Sequence, residues 1–235
     1  RTEGVPLFIE EFCLTLMESG ALQEHDGEIQ LSSDFDMSGI PSSLQDLLVA
    51  RLDRLDSQHD LVFVGATIGR EFTFQMMRSV TELDDATLHD ELDKLVHAEI
   101  AFREGTPPEA IYTFKHALIQ DAAYTSMLKK RRQENHLRIA EVFETDFPDV
   151  VDSQPELLAH HFTQAGDVAR AIDYWLKAGQ RSQGRSANHE AIEHYRNGLM
   201  VIESLVESTD RDQQENSFQL ALVGALVGAK GYASP

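Results

Sequence analysis

The chain has 235 residues, 42% hydrophobic, 26% charged and 8% aromatic, a globular balance in a length that suggests one or two domains. Forty Asp+Glu against twenty Lys+Arg leave a formal charge of −20, which repels phosphate backbones and anionic lipid and makes nucleic acid and membrane poor default partners. The single cysteine, Cys13, forms no internal disulfide and no thiolate zinc site, so a reducing, cytoplasmic setting is expected.

Arg1 to Pro6 lack the basic and apolar regions of a leader, and no Met starts the chain, so a piece of a longer protein is expected. Pro6 to Ser19 spaces Phe8, Ile9, Phe12, Cys13, Leu16 and Met17 as one helical stripe with proline in its first turn. Ala21 to Leu31 carry Asp26-Gly27 between short alternating segments, the signal of a hairpin, and Ser32 to Gly39 read as a polar connector. Pro41 opens the next helix, with Leu44, Leu47, Leu48, Leu52 and Leu55 on one face, and the apolar run Leu61 to Ile68 stops at Gly69. Phe74 to Ser79 and Asp84 to His97 are helical, the latter with Leu88, Leu92, Leu95 and Val96 inward.

The period then changes. Ile100 to Arg103 and Ala110 to Phe114 flank Gly105-Thr-Pro-Pro-Glu as two strands and a turn, and His116 to Leu128 returns to helical spacing. Helices, a hairpin and a further helix predict a winged-helix-like domain. Arg132 to Phe147 is helical, and Pro148 and Pro155 bracket an acidic linker. Ala171-Ile-Asp-Tyr-Trp-Leu-Lys-Ala is then echoed twenty residues later by Ala191-Ile-Glu-His-Tyr-Arg-Asn-Gly. Small Ala171, Ala178 and Ala191 against large Tyr174, Trp175 and Tyr195 suit stacked αα-hairpins of the tetratricopeptide kind, and Gln213 to Ala229 adds another helix. The longest apolar stretch, Phe218 to Ala229, is broken by Gly224 and Gly228 and falls short of the ~20 residues of a membrane span. The expected fold is therefore mostly α, with residues 1–39, 40–128 and 129–235 as its three parts.

Few residues suggest independent chemistry. His160 and His161 are adjacent, and His189 and His194 are five apart, so neither pair has the i,i+4 spacing that aims two imidazoles at one metal ion. Gly-x-Ser-x-Gly, Gly-x-Gly-x-x-Gly and Gly-x-x-x-x-Gly-Lys-[Ser/Thr] are all missing, so no catalytic residue is assigned and the chain is not expected to be an enzyme by itself. Residues 41–128 hold seven Lys+Arg against fifteen Asp+Glu, the wrong sign for a winged helix that binds DNA. The one basic cluster, Lys129 to Arg132, reads as a solvated helix junction near a C-terminal helix dipole.

Six strings, Gly4-Val5-Pro6-Leu-Phe-Ile-Glu-Glu, Ile40-Pro-Ser-Ser-Leu, Ile68-Gly-Arg-Glu-Phe72, Phe114-Lys-His-Ala-Leu-Ile-Gln-Asp-Ala-Ala-Tyr124, Leu157-Leu-Ala-His-His-Phe162 and Ala171-Ile-Asp-Tyr-Trp, occur in this order. In them the chain resembles the STAND signalling ATPases. The similar branch is bacterial, and in it an ATPase module and tetratricopeptide repeats accompany a class III adenylate/guanylate cyclase or a LuxR-type regulator. The resemblance implies that residues 1–39 end a nucleotide-binding lid, that 40–128 form the winged helix and that 129–235 begin the repeats. It implies ATP/ADP with Mg in the full-length parent, an upstream P-loop domain in the same chain, a protein or small-molecule effector on the repeats, and self-association. Matched residue by residue, Pro6 would lie against the nucleotide and His116 would reach its phosphate. Val5 stands where the family usually has Asn, and Lys115 and Ala117 flank a histidine that related sensors place in a Met-His-Asp triplet. The competing reading is a helical scaffold that recruits a protein partner without nucleotide.

Overall fold

The computed structural model describes residues 9, 12, 13, 16, 17, 22–25, 28–31, 43–55 and 59–230. Within them the chain divides into two compact units, one ending at Met127 and the other starting at Leu128. The described positions 9, 12, 13, 16 and 17 are helical, with Leu16 buried. Strands β1 (Leu22–His25) and β2 (Glu28–Leu31) pair antiparallel with His25 opposite Glu28, while the expected turn residues Asp26-Gly27 lie outside the described residues. The connector 32–39 lies outside the described residues.

The first unit continues with α1 (Leu44–Leu52) and α2 (His59–Ile68). Ser43 caps α1: its hydroxyl accepts from the Asp46 N–H at 3.1 Å, satisfying a donor that the first turn leaves open. Pro41 itself is outside the described residues. Leu47, Leu48 and Leu52 are buried as their spacing predicts. Strand β3 (Glu71–Thr73) follows, then α3 (Phe74–Thr81) and α4 (Asp85–His97). Thr73 and Asp84 cap these helices through their side-chain oxygens, and Glu82 turns the chain between them in the left-handed region at φ 59°. Leu88, Leu92 and Leu95 are buried, while Val96 is only half-buried.

Strands β4 (Ala101–Glu104) and β5 (Ile111–Phe114) form the expected hairpin, and α5 (Ala117–Ser126) closes the unit. β3, which the sequence pattern missed, pairs antiparallel with β5, so the three-stranded sheet has the order β3-β5-β4. Helix, strand, two helices and a hairpin in this order are winged-helix-like. Phe72, Tyr112 and Phe114 form the aromatic centre: Phe72 stacks on Tyr112 at 5.7 Å and meets Phe114 edge-on at 5.9 Å. Phe72 also lies against Gly65 of α2, where a Cβ would come within 2.8 Å of its ring.

Among its described residues the regular structure of the second unit is all helix: α6 (Lys129–Asp146), α7 (Pro148–Ser153), α8 (Pro155–Ala165), α9 (Val168–Gly184), α10 (Asn188–Ile202) and α11 (Thr209–Lys230). The expected acidic linker is thus a short helix. Pro148 and Pro155 each start a helix, because a first-turn position loses nothing with the missing N–H. The basic run Lys129 to Arg132 occupies the first turn of α6, three residues after α5 ends at Ser126.

From α8 onward, consecutive helices pack on one another through short loops. Gly166 caps α8 in the left-handed region at φ 84°, which lets Asp167 cap α9 immediately afterwards. Arg170 ties α9 to α6 through Glu141 at 3.1 Å while stacking on Phe162. Ala171, Ala178, Ala191, Tyr174, Trp175 and Tyr195 are all buried, as expected of αα-hairpins. The twenty-residue echo corresponds to one helix plus its loop. At the last two steps a ring fills a glycine position on the preceding helix, Tyr195 over Gly179 and Phe218 over Gly198, and a Cβ at either glycine would overlap that ring.

Candidate functional site

His116 stands where β5 ends and α5 begins. Its backbone is extended (φ −134°, ψ 141°), its carbonyl accepts from the Ile119 N–H at 3.0 Å, and its ring is half-buried. The junction is fixed on both sides. The Lys115 N–H donates to the Ile100 carbonyl at 2.9 Å, the Lys115 ammonium meets Glu99 at 2.8 Å, and Phe114 and Ile119 anchor the flanking strand and helix in the core. The imidazole is thus carried at the N-terminus of a ten-residue helix, where the dipole favours an anion, with its Nε2 atom shielded from solvent. Pro6 lies outside the described residues.

The helix pair that a winged helix would offer to DNA carries the wrong charge. The exposed face of α4 presents Asp85 and Asp90 against Lys94, and the hairpin beside it adds exposed Glu104 and Glu109. Asp84 at its cap is held below the ordinary carboxylate range by hydrogen bonds from the Thr87 hydroxyl and N–H. Between α4 and the hairpin lies a cavity of about 560 Å³, walled by Phe74, Pro107 and Pro108 with Asp85, His89 and Arg103. Arg103 is committed to Asp93. No free cationic surface faces outward there to meet phosphates.

In the helical unit a second cavity, of about 500 Å³, lies over Trp175. The indole N–H donates to Thr163 Oγ1 at 3.0 Å and the ring stacks on His194 at 5.8 Å, so the floor is held from two helices. Gln164, Asn197 and Met200 line the walls, with Met200 60% exposed. No Asp, Glu, Lys or Arg lines this cavity, which therefore offers amide and hydroxyl hydrogen bonds beside apolar surface in an otherwise strongly acidic chain.

His160 edges that cavity, and behind it His161 meets His136 of α6, a partner that sequence spacing did not reveal. Their Nδ1 atoms are 2.8 Å apart, so one ring donates its proton to the other, and both side chains are 1% exposed. Burial holds both rings below the ordinary histidine range, and the neighbouring imidazoles push in the same direction. His160 is shifted the same way, also by burial. Phe143 packs edge-on against His161 at 5.8 Å. Among the described residues, no three His, Cys, Asp or Glu side chains gather as metal ligands. No described helix is long and apolar enough to cross a membrane.

No protein-family model matches the chain. It is similar to an uncharacterized protein of Rhizobium meliloti (strain 1021), 28% identical over 232 residues. That match covers 98% of this chain and 22% of the relative, so the chain spans about a fifth of the longer protein's length.

Proposed function

We propose that the chain is the regulatory segment of a bacterial, cytoplasmic STAND-type ATPase, coupling nucleotide state to a cyclase or transcriptional output. The observation that carries this reading is the rigid junction at His116: a half-buried imidazole at a helix N-terminus, in an acidic winged-helix-like unit unsuited to DNA. Its position fits one phosphate contact. The rest of the nucleotide would be held by the lid around Pro6 and by an upstream P-loop domain, since this chain has no Gly-x-x-x-x-Gly-Lys-[Ser/Thr]. Bound ADP or ATP with Mg would supply the free energy difference between a closed and an open arrangement, and the chain's own residues would transmit it. The neutral cavity over Trp175 is the natural place for an effector on the repeats.

The test is titration of ADP into the parent protein and its His116→Ala and Pro6→Ala variants. Loss of a hydrogen bond to a charged phosphate should weaken binding about 10- to 100-fold for His116→Ala. Unchanged ADP affinity in both variants would remove the switch assignment. It would leave the second reading, a helical scaffold that recruits a partner through the Trp175 cavity.

A further inference from the structure

The cavity between α4 and the hairpin joins apolar walls to polar groups that accept rather than donate. Phe74, Ala86, Pro107 and Pro108 supply the apolar surface. The Phe74 N–H donates to the Ala110 carbonyl at 2.9 Å, which holds the first turn of α3 against the hairpin, so the fold itself sets these walls. Both nearby guanidinium groups are already paired, Arg103 with Asp93 and Arg78 with Asp85 at 2.7 Å. Asp93 also lies 3.7 Å from Nε2 of the lining His89 and favours the proton on that nitrogen. His89 Nδ1, shielded from solvent and without a partner, is thereby left as an acceptor. Asp84, Asp90 and Glu109, each next in sequence to a lining residue, are exposed and have no ion-pair partner among the described residues.

We propose that this cavity is the docking site for a short basic segment of another protein, which seats one apolar side chain against Phe74, Pro107 and Pro108 and sets lysines or arginines on either side of it against Asp84, Asp90 and Glu109. Charge complementarity selects that occupant. Unpaired carboxylates around an apolar depression favour cations, and long basic side chains also cover apolar surface with their stems. About 560 Å³ is room for a whole apolar side chain. The acids are too spread out for one small cation. Asp84 and Asp90 stand ~9 Å apart along α4, and Glu109 belongs to the turn on the other side of the cavity. An extended segment, with residues ~3.3 Å apart, reaches several of them at once. A second copy of the chain is opposed by its formal charge of −20. None of these residues has a part in the nucleotide reading, so the two stand or fall separately.

The experiment is fluorescence anisotropy on the 235-residue chain at about 0.15 M salt, where weak surface attraction is screened. The probes are the labelled peptides Arg-Lys-Leu-Lys-Arg and Arg-Lys-Ser-Lys-Arg. The leucine peptide should bind saturably and about tenfold more tightly than the serine peptide, the difference made by one buried apolar side chain. Asp90→Lys/Glu109→Lys should weaken it about tenfold or more, whereas Glu203→Lys/Asp210→Lys, an equal change of charge at exposed sites in the helical unit, should weaken it less than about twofold. Equal loss in the two double variants would reduce the binding to unspecific attraction and overturn the proposal. Equal affinity for the two peptides, or no saturable binding, would overturn it as well. A molecular mass that rises with concentration in the wild type alone and not in Asp90→Lys/Glu109→Lys would overturn it in favour of a second copy.

Discussion

In the wing-bearing unit, Phe72 touches Tyr112, Phe114 and Gly65 together, whereas in the helical unit Tyr195 lies over Gly179 and Phe218 over Gly198, with the two rings meeting edge-on at 6.1 Å. The first is a collective core built on a sheet whose strands are drawn from positions 40 residues apart. The second is a chain of pairwise contacts between successive helices. Damage in the first should therefore spread through the unit, and damage in the second should remain close to the step it strikes.

The largest test of this contrast is Phe72→Ala. Removing a 2%-exposed ring from the aromatic centre should cost about 3–5 kcal/mol and raise amide exchange in β3, β5 and α2 together. Exchange that rises in β3 alone would mean the core is less collective than its geometry implies. Gly198→Ala comes next. Its new methyl group must push Phe218 aside, and overpacking of this kind should cost about 1–3 kcal/mol in urea unfolding. Exchange should accelerate in α10 and α11 while α8 keeps its protection; equal loss in α8 would break the pairwise picture.

The third test concerns pH. His136 and His161 hold protons less tightly when folded than the ordinary value near 6.5, so below that pH the unfolded chain binds more protons and folded stability falls. The loss should approach roughly 1.4 kcal/mol per pH unit for each histidine as the pH falls from 6.5 towards 5, read as denaturant midpoint against pH. The double variant His136→Leu/His161→Leu should flatten that slope. A wild-type midpoint that does not move over this range would show that the buried pair does not resist protonation.

The winged-helix-like hairpin was legible because alternation in Ile111 to Phe114 gives way to helical spacing at His116, and the same change of period marked the junction now seen there. Strand β3 was not legible, since three residues carry too little pattern and its partner lies some forty residues on in β5. Pro148 and Pro155 misled because a first-turn proline and a helix-breaking proline look alike in sequence. Gly179 and Gly198 carry no signal of their own in the sequence; only the rings opposite them explain their placement. His161 gave no sign of its contact with His136, 25 residues earlier and on another helix. Pro6 lies outside the described residues.

The glycine contacts also bear on how the ladder can change over time. A glycine can only be replaced by something larger, so Gly198 cannot drift alone while Phe218 occupies its space. A viable path first shrinks the ring and then enlarges the glycine, and that tethers the history of each helix to the next. The loop between Ile202 and Thr209 bears no such tether. Descendants of this sequence should vary freely in that loop, while the two sides of each ring contact inherit their substitutions in pairs.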